Sequence, residues 1–439
     1  MRKIAIVGAG QAGMVLAFGL LEEGYEVTVF EGRLADEIER GPILSTAMVF
    51  DRQLDVERRL GMHEWEGKAP VCNGMHATLR LPNGEIILQV QGELEETCQG
   101  VDARIKTSTW LRRFQERGGQ VVHEAVNRRS LEEMAEVYDL VVVSSGKGGL
   151  GEVFERDPER TLFDSPPRRL GAVMVKGVRE WEEIPYTTLK FQYFVQIGEF
   201  FSIPFYSHGG RCRGIVFEAP AGSPMDLWGG VDSADKALAT ALKLLREYSP
   251  QDWPNYRNAT LVDERSWLKG AITPTVRKPV GRLRTGKAVM ALGDVAVLND
   301  PISGTGANDA VRQADRLTRA IVERGARPFE EDWMQEVFEG YYQERGRYTM
   351  EFTKLMTGPM TDPFWKVLQG AAQSPGVAHT FVNMFNDIKH SLGWLTDMTE
   401  ANKVCDAHAQ ELRGARFLTL SEAMARFMPQ QPGVKVQAA

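Results

Sequence analysis

The sequence predicts an α/β protein built on a parallel, dinucleotide-binding sheet that the chain leaves and later re-enters. An antiparallel sheet is inserted between the two visits, and a helical region follows. Three observations predict this. "KIAIVGAGQAG" at 3–13 has strand–turn–helix form, with glycines at 8, 10 and 13. From about 166 to 280 the texture is aromatic-rich, strand-like and poor in helix signals. A second glycine-rich stretch, "GDVAVLNDPISGTGAND" at 293–309, then ends another apolar strand and opens an amphipathic helix.

In chain order, residues 4–7 read as a buried strand turning at Gly8 into a helix, with apolar residues at Met14, Val15, Ala17, Phe18 and Leu21. Residues 27–30 give a second strand ending on Glu31. This is the G-x-G-x-x-G fingerprint in its required context, with an acid about 20 residues on. Gly8 allows the tight turn, Gly10 lets a pyrophosphate approach the backbone, and Gly13 packs helix on strand. The helix opening at Gln11 and Ala12 presents free N–H groups and its positive end to phosphates. Glu31 accepts from a ribose hydroxyl pair and disfavours a 2′-phosphate. The ligand is thus FAD or NAD, which the motif alone does not separate. Gly32 and Arg33 follow on the adenosine side.

Residues 76–90 read as a hairpin about a Pro-Asn-Gly turn. "VDARIKTSTWLRRFQERGG" reads as a helix ending at Gly118-Gly119, followed by a strand, and 140–143 as a further parallel strand. After the inserted sheet, closed by a helix before Pro250, residues 287–293 return to parallel-strand character. In the helix beyond Asp309, Ala310, Val311, Ala314, Leu317, Ile321 and Val322 share one stripe. From 330 the chain reads helical up to a polar tail.

With 439 residues, 25% of them charged, the chain has ordinary globular composition. The net charge of −7 is spread out, which argues against nucleic acid or an anionic membrane as partner. No stretch approaches 18 uninterrupted apolar residues, so no membrane span is expected and a cytoplasmic location is. Four separated cysteines without C-x-x-C pairs, and scattered histidines, offer no metal site.

The trio of G-A-G-Q-A-G with Glu31, "DLVVVSSGKGGL" and "GDVAVLNDPISGTGAND" resembles the FAD-dependent aromatic hydroxylase-like monooxygenases. More narrowly, over nearly the full chain, the sequence resembles the oxygenase component of the two-component styrene and indole monooxygenases. The resemblance implies a discontinuous Rossmann-type FAD-binding domain (1–165 and 281–345, with 43–100 contributing to the substrate side). It further implies a substrate-binding β-sheet domain (166–280) and a C-terminal helical region (346–439). It implies a separate NADH-dependent flavin reductase that supplies reduced FAD. O₂ then forms a flavin C4a-hydroperoxide, which epoxidises styrene-like alkenes or indole or sulfoxidises thioethers. A small hydrophobic aromatic substrate is the expected ligand, and a homodimer is compatible with the sequence. Two other readings stand beside this one: a single-component NAD(P)H-dependent aromatic hydroxylase, and a non-catalytic flavin-binding protein.

By the same resemblance, Gly293 and Asp294 take the ribityl chain, and Pro301, Gly304, Thr305, Gly306, Ala307 and Asn308 face the flavin ring. Arg104 lies over the phosphates, with Val126 and Gly146 beside the nucleotide. Asp300, before a proline, is read as shaping the loop. Ser45, Thr46, Pro301 and Gly304 are the expected catalytic positions beside the ring. Ala47, Val49, Met75 and Cys98 are expected to line the substrate side. Styrene-type members resemble Asn-Thr-Val-x-His at this segment and indole-type members Ser-Thr-Gln-x-Met. Here Ser-Thr-Ala-Met-Val matches neither in full, and Ala47 and Val49 offer no hydrogen-bonding partner.

Overall fold

The computed structural model describes residues 2–427, so the polar tail at 428–439, the end of the expected helical region, lies outside the described residues. Short runs rich in β-branched residues form strands buried on both faces. Lys3–Val7 pairs in parallel with Glu26–Phe30 on one side and Leu140–Val143 on the other, so Ile4 lies beside both Val27 and Leu140. Gln120–Val122 extends one edge in parallel. On the other edge Ala288–Ala291 joins Leu140–Val143 in parallel, and Val280–Arg282 closes the sheet antiparallel. Six strands from three separate parts of the chain thus make one sheet.

Helices cover both faces. Gln11–Glu22, Ala103–Glu116 and Gly306–Arg324 share one core with Ile4, Ile6 and Val29. Leu131 and Met134 of helix Arg128–Val137 join Val141 and Val143 in the core on the opposite face. The helix at 103 starts where Asp102 accepts the Arg104 N–H, an N-cap. It ends near Gly119, where a side chain would run into the Phe114 ring at 2.3 Å.

The second, larger sheet draws on two stretches of chain. Met48–Phe50, Val71–Arg80 and Ile86–Gly100 come from the front and join Thr188–Phe194, Gly198–Ser207, Gly210–Ala219 and Arg169–Lys176. The expected Pro-Asn-Gly turn is present, with the Leu81 N–H bonded to the Glu85 carbonyl. One pairing departs from the wholly antiparallel sheet expected: Val71–Arg80 runs parallel to Thr188–Phe194. The two strands belong to segments over a hundred residues apart, so no hairpin forces them to reverse direction.

Alternation gives this sheet two apolar faces. Val173, Val175, Phe200, Ile215 and Phe217 lie under helix Ala234–Tyr248. Met75, Ala77, Leu79 and Phe191 lie under the C-terminal helices, chiefly Arg347–Thr357, Asp362–Ala371 and Pro375–Val382. Each fully buried Phe contributes about 2–3 kcal/mol by removal from water. No helix among the described residues is long and apolar enough to cross a membrane.

Candidate functional site

The three glycines of the first turn do different work. Gly8 has φ +106°, a backbone state that side chains rarely adopt, and a Cβ there would sit 2.7 Å from that of Ser145. A Cβ on Gly13 would meet the Gly8 carbonyl oxygen at 2.1 Å, so helix and turn can be this close only with glycine. A Cβ on Gly10 would meet nothing within 4 Å. Protein packing therefore explains Gly8 and Gly13, whereas Gly10 borders open space where a ligand can come against the backbone. No side chain caps the helix at Gly10, which leaves its first-turn N–H groups available to an anion.

Glu31, at the end of its strand, turns back to this same turn. Its carboxylate accepts from the Ala9 N–H at 3.4 Å and from Arg33 Nε at 2.9 Å. Gly32 packs on Ala125, with Val126 half-buried beside the sheet. Gly146 is exposed where the chain leaves strand Leu140–Val143. The Gln11 side chain, by contrast, points into the protein and donates to Glu57 at 2.6 Å.

The late motif reaches the same place. Gly293, at φ +65°, lies so near Ala12 that a Cβ would approach the Ala12 methyl at 3.0 Å. The two glycine loops, some 280 residues apart in sequence, thus touch. Asp294 opens outward from that junction. Its side chain is reached by solvent but recessed among protein atoms, and this desolvation pushes its carboxyl up to about 6. Among the described residues burial alone shifts it, with no hydrogen-bonding or charged partner contributing, so its oxygens can accept from a ligand hydroxyl.

The turn Pro301–Ser303 leads through Gly304, in the left-handed region, into helix Gly306–Arg324. Pro301 and Gly304 are exposed, Gly306 and Ala307 half-buried, and Thr305 is buried with its hydroxyl on that of Ser303 at 2.8 Å. Thr305 gives the helix no side-chain cap, so this second helix N-terminus is also open. Asn308 is placed differently from expectation. Its side chain accepts from the Phe50 N–H at 2.9 Å and donates to the carbonyls of Met48 at 3.1 Å and Gly304 at 3.0 Å. It stitches strand Met48–Phe50 to the loop, a task that leaves no side-chain donor for a cofactor. That stitch brings 45–50 and 301–308 together. Ser45 is exposed, Thr46 and Ala47 half-buried and Val49 buried, with the Ser45 hydroxyl accepting from the Ala47 N–H at 3.2 Å.

Arg104 is a correction. Expected over the phosphates, its guanidinium is 1% exposed. It is spent on Asp102, Asp263, Ser266 and the Gly41 carbonyl, with Nη2 2.8 Å from Asp102 and 2.9 Å from Asp263. No donor remains for a phosphate. The groove of about 730 Å³ beside it carries Asp36, Glu39, Arg40 and Arg112, which pair largely with one another.

Among the buried charge clusters that escaped the sequence reading, two adjoin these loops. Glu57 lies at 2.7 Å from Lys106 next to Gln11; burial works against its ionisation, but Lys106, His63 and Gln11 together hold it below the usual carboxylate range. The other cluster sits behind the late loop. Arg168 contacts Glu199, Glu218 and Asp300, all almost fully buried, and Asp300 also accepts from the Ile302 N–H at 3.1 Å. With three acids and one cation, burial pushes Glu218 up to about 8, against Arg168 and with the help of Asp300. The signal was present in "GIVFEA", where Glu218 stands as a lone charge inside a run of apolar residues.

Met75 faces the C-terminal helices, and Cys98 lies across from Cys72, its Sγ 3.9 Å from the Cys72 carbonyl. Neither they nor Ala47 and Val49 line the apolar cavity that Ile302 borders beneath the C-terminal helices.

Comparison with known proteins finds relatives over most of the chain. Residues 146–254 match the family model "Styrene monooxygenase A putative substrate binding domain". Two relatives, each a styrene monooxygenase StyA, are 28% identical over 394 residues (Pseudomonas fluorescens) and 29% identical over 398 (Pseudomonas sp). Both alignments cover 88% of this chain and 93% of the relative. Among solved structures, the flavin-dependent brominase Bmp2 matches with TM-score 0.60 at 16% identity, over 94% of this chain and 99% of its own.

Proposed function

We propose, from the premise that the chain is a styrene monooxygenase-like, flavin-dependent monooxygenase, that it is the oxygenase component of a two-component system. Its flavin is FAD, delivered reduced by a separate NADH-dependent reductase, and its substrate is a small aromatic alkene, an indole or a thioether. One observation supports the reading: two distant glycine loops meet at the Gly293–Ala12 contact, beside the open backbone at Gly10.

The residues fit the cofactor. The N–H groups opening helix Gln11–Glu22 would hold the pyrophosphate against Gly10, Glu31 the adenosine ribose, and Asp294 the ribityl hydroxyls. The exposed Gly304 and the open N-terminus of Gly306–Arg324 would face the ring, where the helix's positive end favours an anionic reduced flavin. When bound, reduced flavin supplies the electron pair with which O₂ gives one atom to the substrate and releases the other as water. The chain's own part is to place and to dry. Val49, Ala47 and Ile302 exclude water, and no side chain at this junction is arranged as an acid–base pair.

The test mixes purified protein with chemically reduced FAD, O₂ and styrene, without reductase. Styrene oxide is the expected product. Rapid bleaching of bound flavin by NADH alone would instead establish a single-component enzyme. Hydrogen peroxide as the sole product, across styrene, indole and a thioether, would leave only a flavin-binding protein.

A further inference from the structure

Two carboxylates stand side by side in the larger sheet. Glu199 and Glu218 are direct partners on the antiparallel strands Gly198–Ser207 and Gly210–Ala219, with Tyr193 next to Glu199 on the other side. Cross-strand partners point to the same face, with Cβ atoms about 4.5–5.5 Å apart, so the two carboxyls share one space. Arg168 and Asp300 close that space, and all four groups are at most 5% exposed.

The charge count decides what this space can do. Three acids face one guanidinium. Arg347, Glu351 and Lys354 lie on helix Arg347–Thr357, which packs on the Pro301–Ser303 turn, and among the described residues none of them pairs with the cluster. Two carboxyls in one dry site do not both stay ionised, so the pair keeps a proton. Burial accordingly pushes Glu218 up to about 8, against Arg168 and with the help of Asp300. Glu218 Oε1 and Asp300 Oδ2 are buried without a hydrogen-bond partner among the described residues, which leaves acceptors over which that proton can be shared. Asp300 ties the site to the late loop. Its Oδ1 accepts from the Ile302 N–H at 3.1 Å and its carbonyl from the Ser303 hydroxyl at 2.9 Å, so the acid that meets Arg168 also caps the turn leading to Gly304. Charge placed on that turn reaches the pair through protein interior, where screening is weak.

We propose that Glu199 and Glu218 form a one-proton site that answers charge at the late loop, so that an anionic ligand ring seated on 301–306 binds with uptake of a proton from solvent by the pair. Glu199, Glu218 and Asp300 are then positioning residues, acting on the ligand through Arg168 and the turn. The identity of that ligand as reduced flavin rests on the function proposed above; the shared proton does not.

Anaerobic titration of the flavin-free protein with reduced FAD, and with oxidised FAD, whose ring is uncharged, reads the coupling. A ligand charge that raises the pair's midpoint by about one unit makes binding about fivefold tighter at pH 7 than at pH 9, with uptake of about half a proton at pH 8.5. An indicator dye in weakly buffered solution measures that uptake. Oxidised FAD shows neither effect. Glu218→Gln, which fixes the neutral form, binds reduced FAD with little dependence on pH and takes up no proton. Melting curves confirm that the variant is folded, and Glu199→Gln carries the same comparison should it not be. Wild-type binding of reduced FAD that is flat from pH 7 to 9, or uptake that persists in the folded variants, overturns the coupling and leaves the flavin reading standing. Failure to bind reduced FAD at any pH overturns both.

Discussion

Gly10 and Gly13 are three residues apart and sit in opposite surroundings. A methyl at Gly13 must displace the Gly8 carbonyl oxygen, 2.1 Å away, whereas one at Gly10 meets only open space. Gly13→Ala is expected to cost about 1–3 kcal/mol of stability by overpacking. Gly10→Ala, with φ −72° already suited to alanine, is expected to stay within about 0.5 kcal/mol of wild type. It should nevertheless bind FAD at least about tenfold more weakly, since even one misplaced phosphate contact costs about 1.4 kcal/mol. Thermal melting of the flavin-free protein and a flavin titration check both; equal losses of stability in the two variants would remove the ligand-facing role of Gly10. The turn, the helix start and the close packing at Gly13 could be read from the sequence because all three are local. Arg104 could not be read so, because its fate depends on Asp263, which approaches only after the chain has crossed the larger sheet and returned.

Strands and helices were legible where their pattern was strong. The runs at 4–7, 27–30 and 140–143 are apolar but for Thr28 and appear in the structure within a residue or so of the expected bounds. Helix Arg128–Val137 was not singled out, because "RRSLEEMAEV" shows only a thin apolar stripe and leans on Asn127 for its start. The parallel entry of Val71–Arg80 was likewise invisible, since pairing between remote strands leaves no local trace. The stitch at Asn308 acts at this scale, joining a short edge strand to a loop through three hydrogen bonds. Asn308→Ala is expected to cost about 1.5–3 kcal/mol. It should also lower the fraction of turnovers yielding product, with hydrogen peroxide making up the balance. Urea unfolding and a peroxide assay measure the two, and a destabilised variant with unchanged product yield would confine the stitch to stability.

Over the whole molecule, the cluster of Arg168, Glu199, Glu218 and Asp300 joins the larger sheet to the late loop of the smaller one. Glu218, raised to about 8 from an ordinary 4.5, favours folding in its protonated form. That contribution is full below about pH 4.5 and is lost as pH rises through 8. Wild type is therefore expected to lose on the order of 3 kcal/mol between pH 6 and 9, and Glu218→Gln to lose much less. Urea midpoints at the two pH values decide it; equal losses in both proteins would assign the pH dependence elsewhere. The split of the smaller sheet carries a consequence for biosynthesis. Strand Leu140–Val143 gains its partner Ala288–Ala291 only after about 145 more residues have been made. At roughly 5–20 residues per second, that strand waits on the order of 7–30 s on the ribosome with an unsatisfied edge. During that interval the nascent chain is exposed to strand-adding partners, so expression slowed at codons 144–287 should shift this protein toward aggregates that the finished fold never forms.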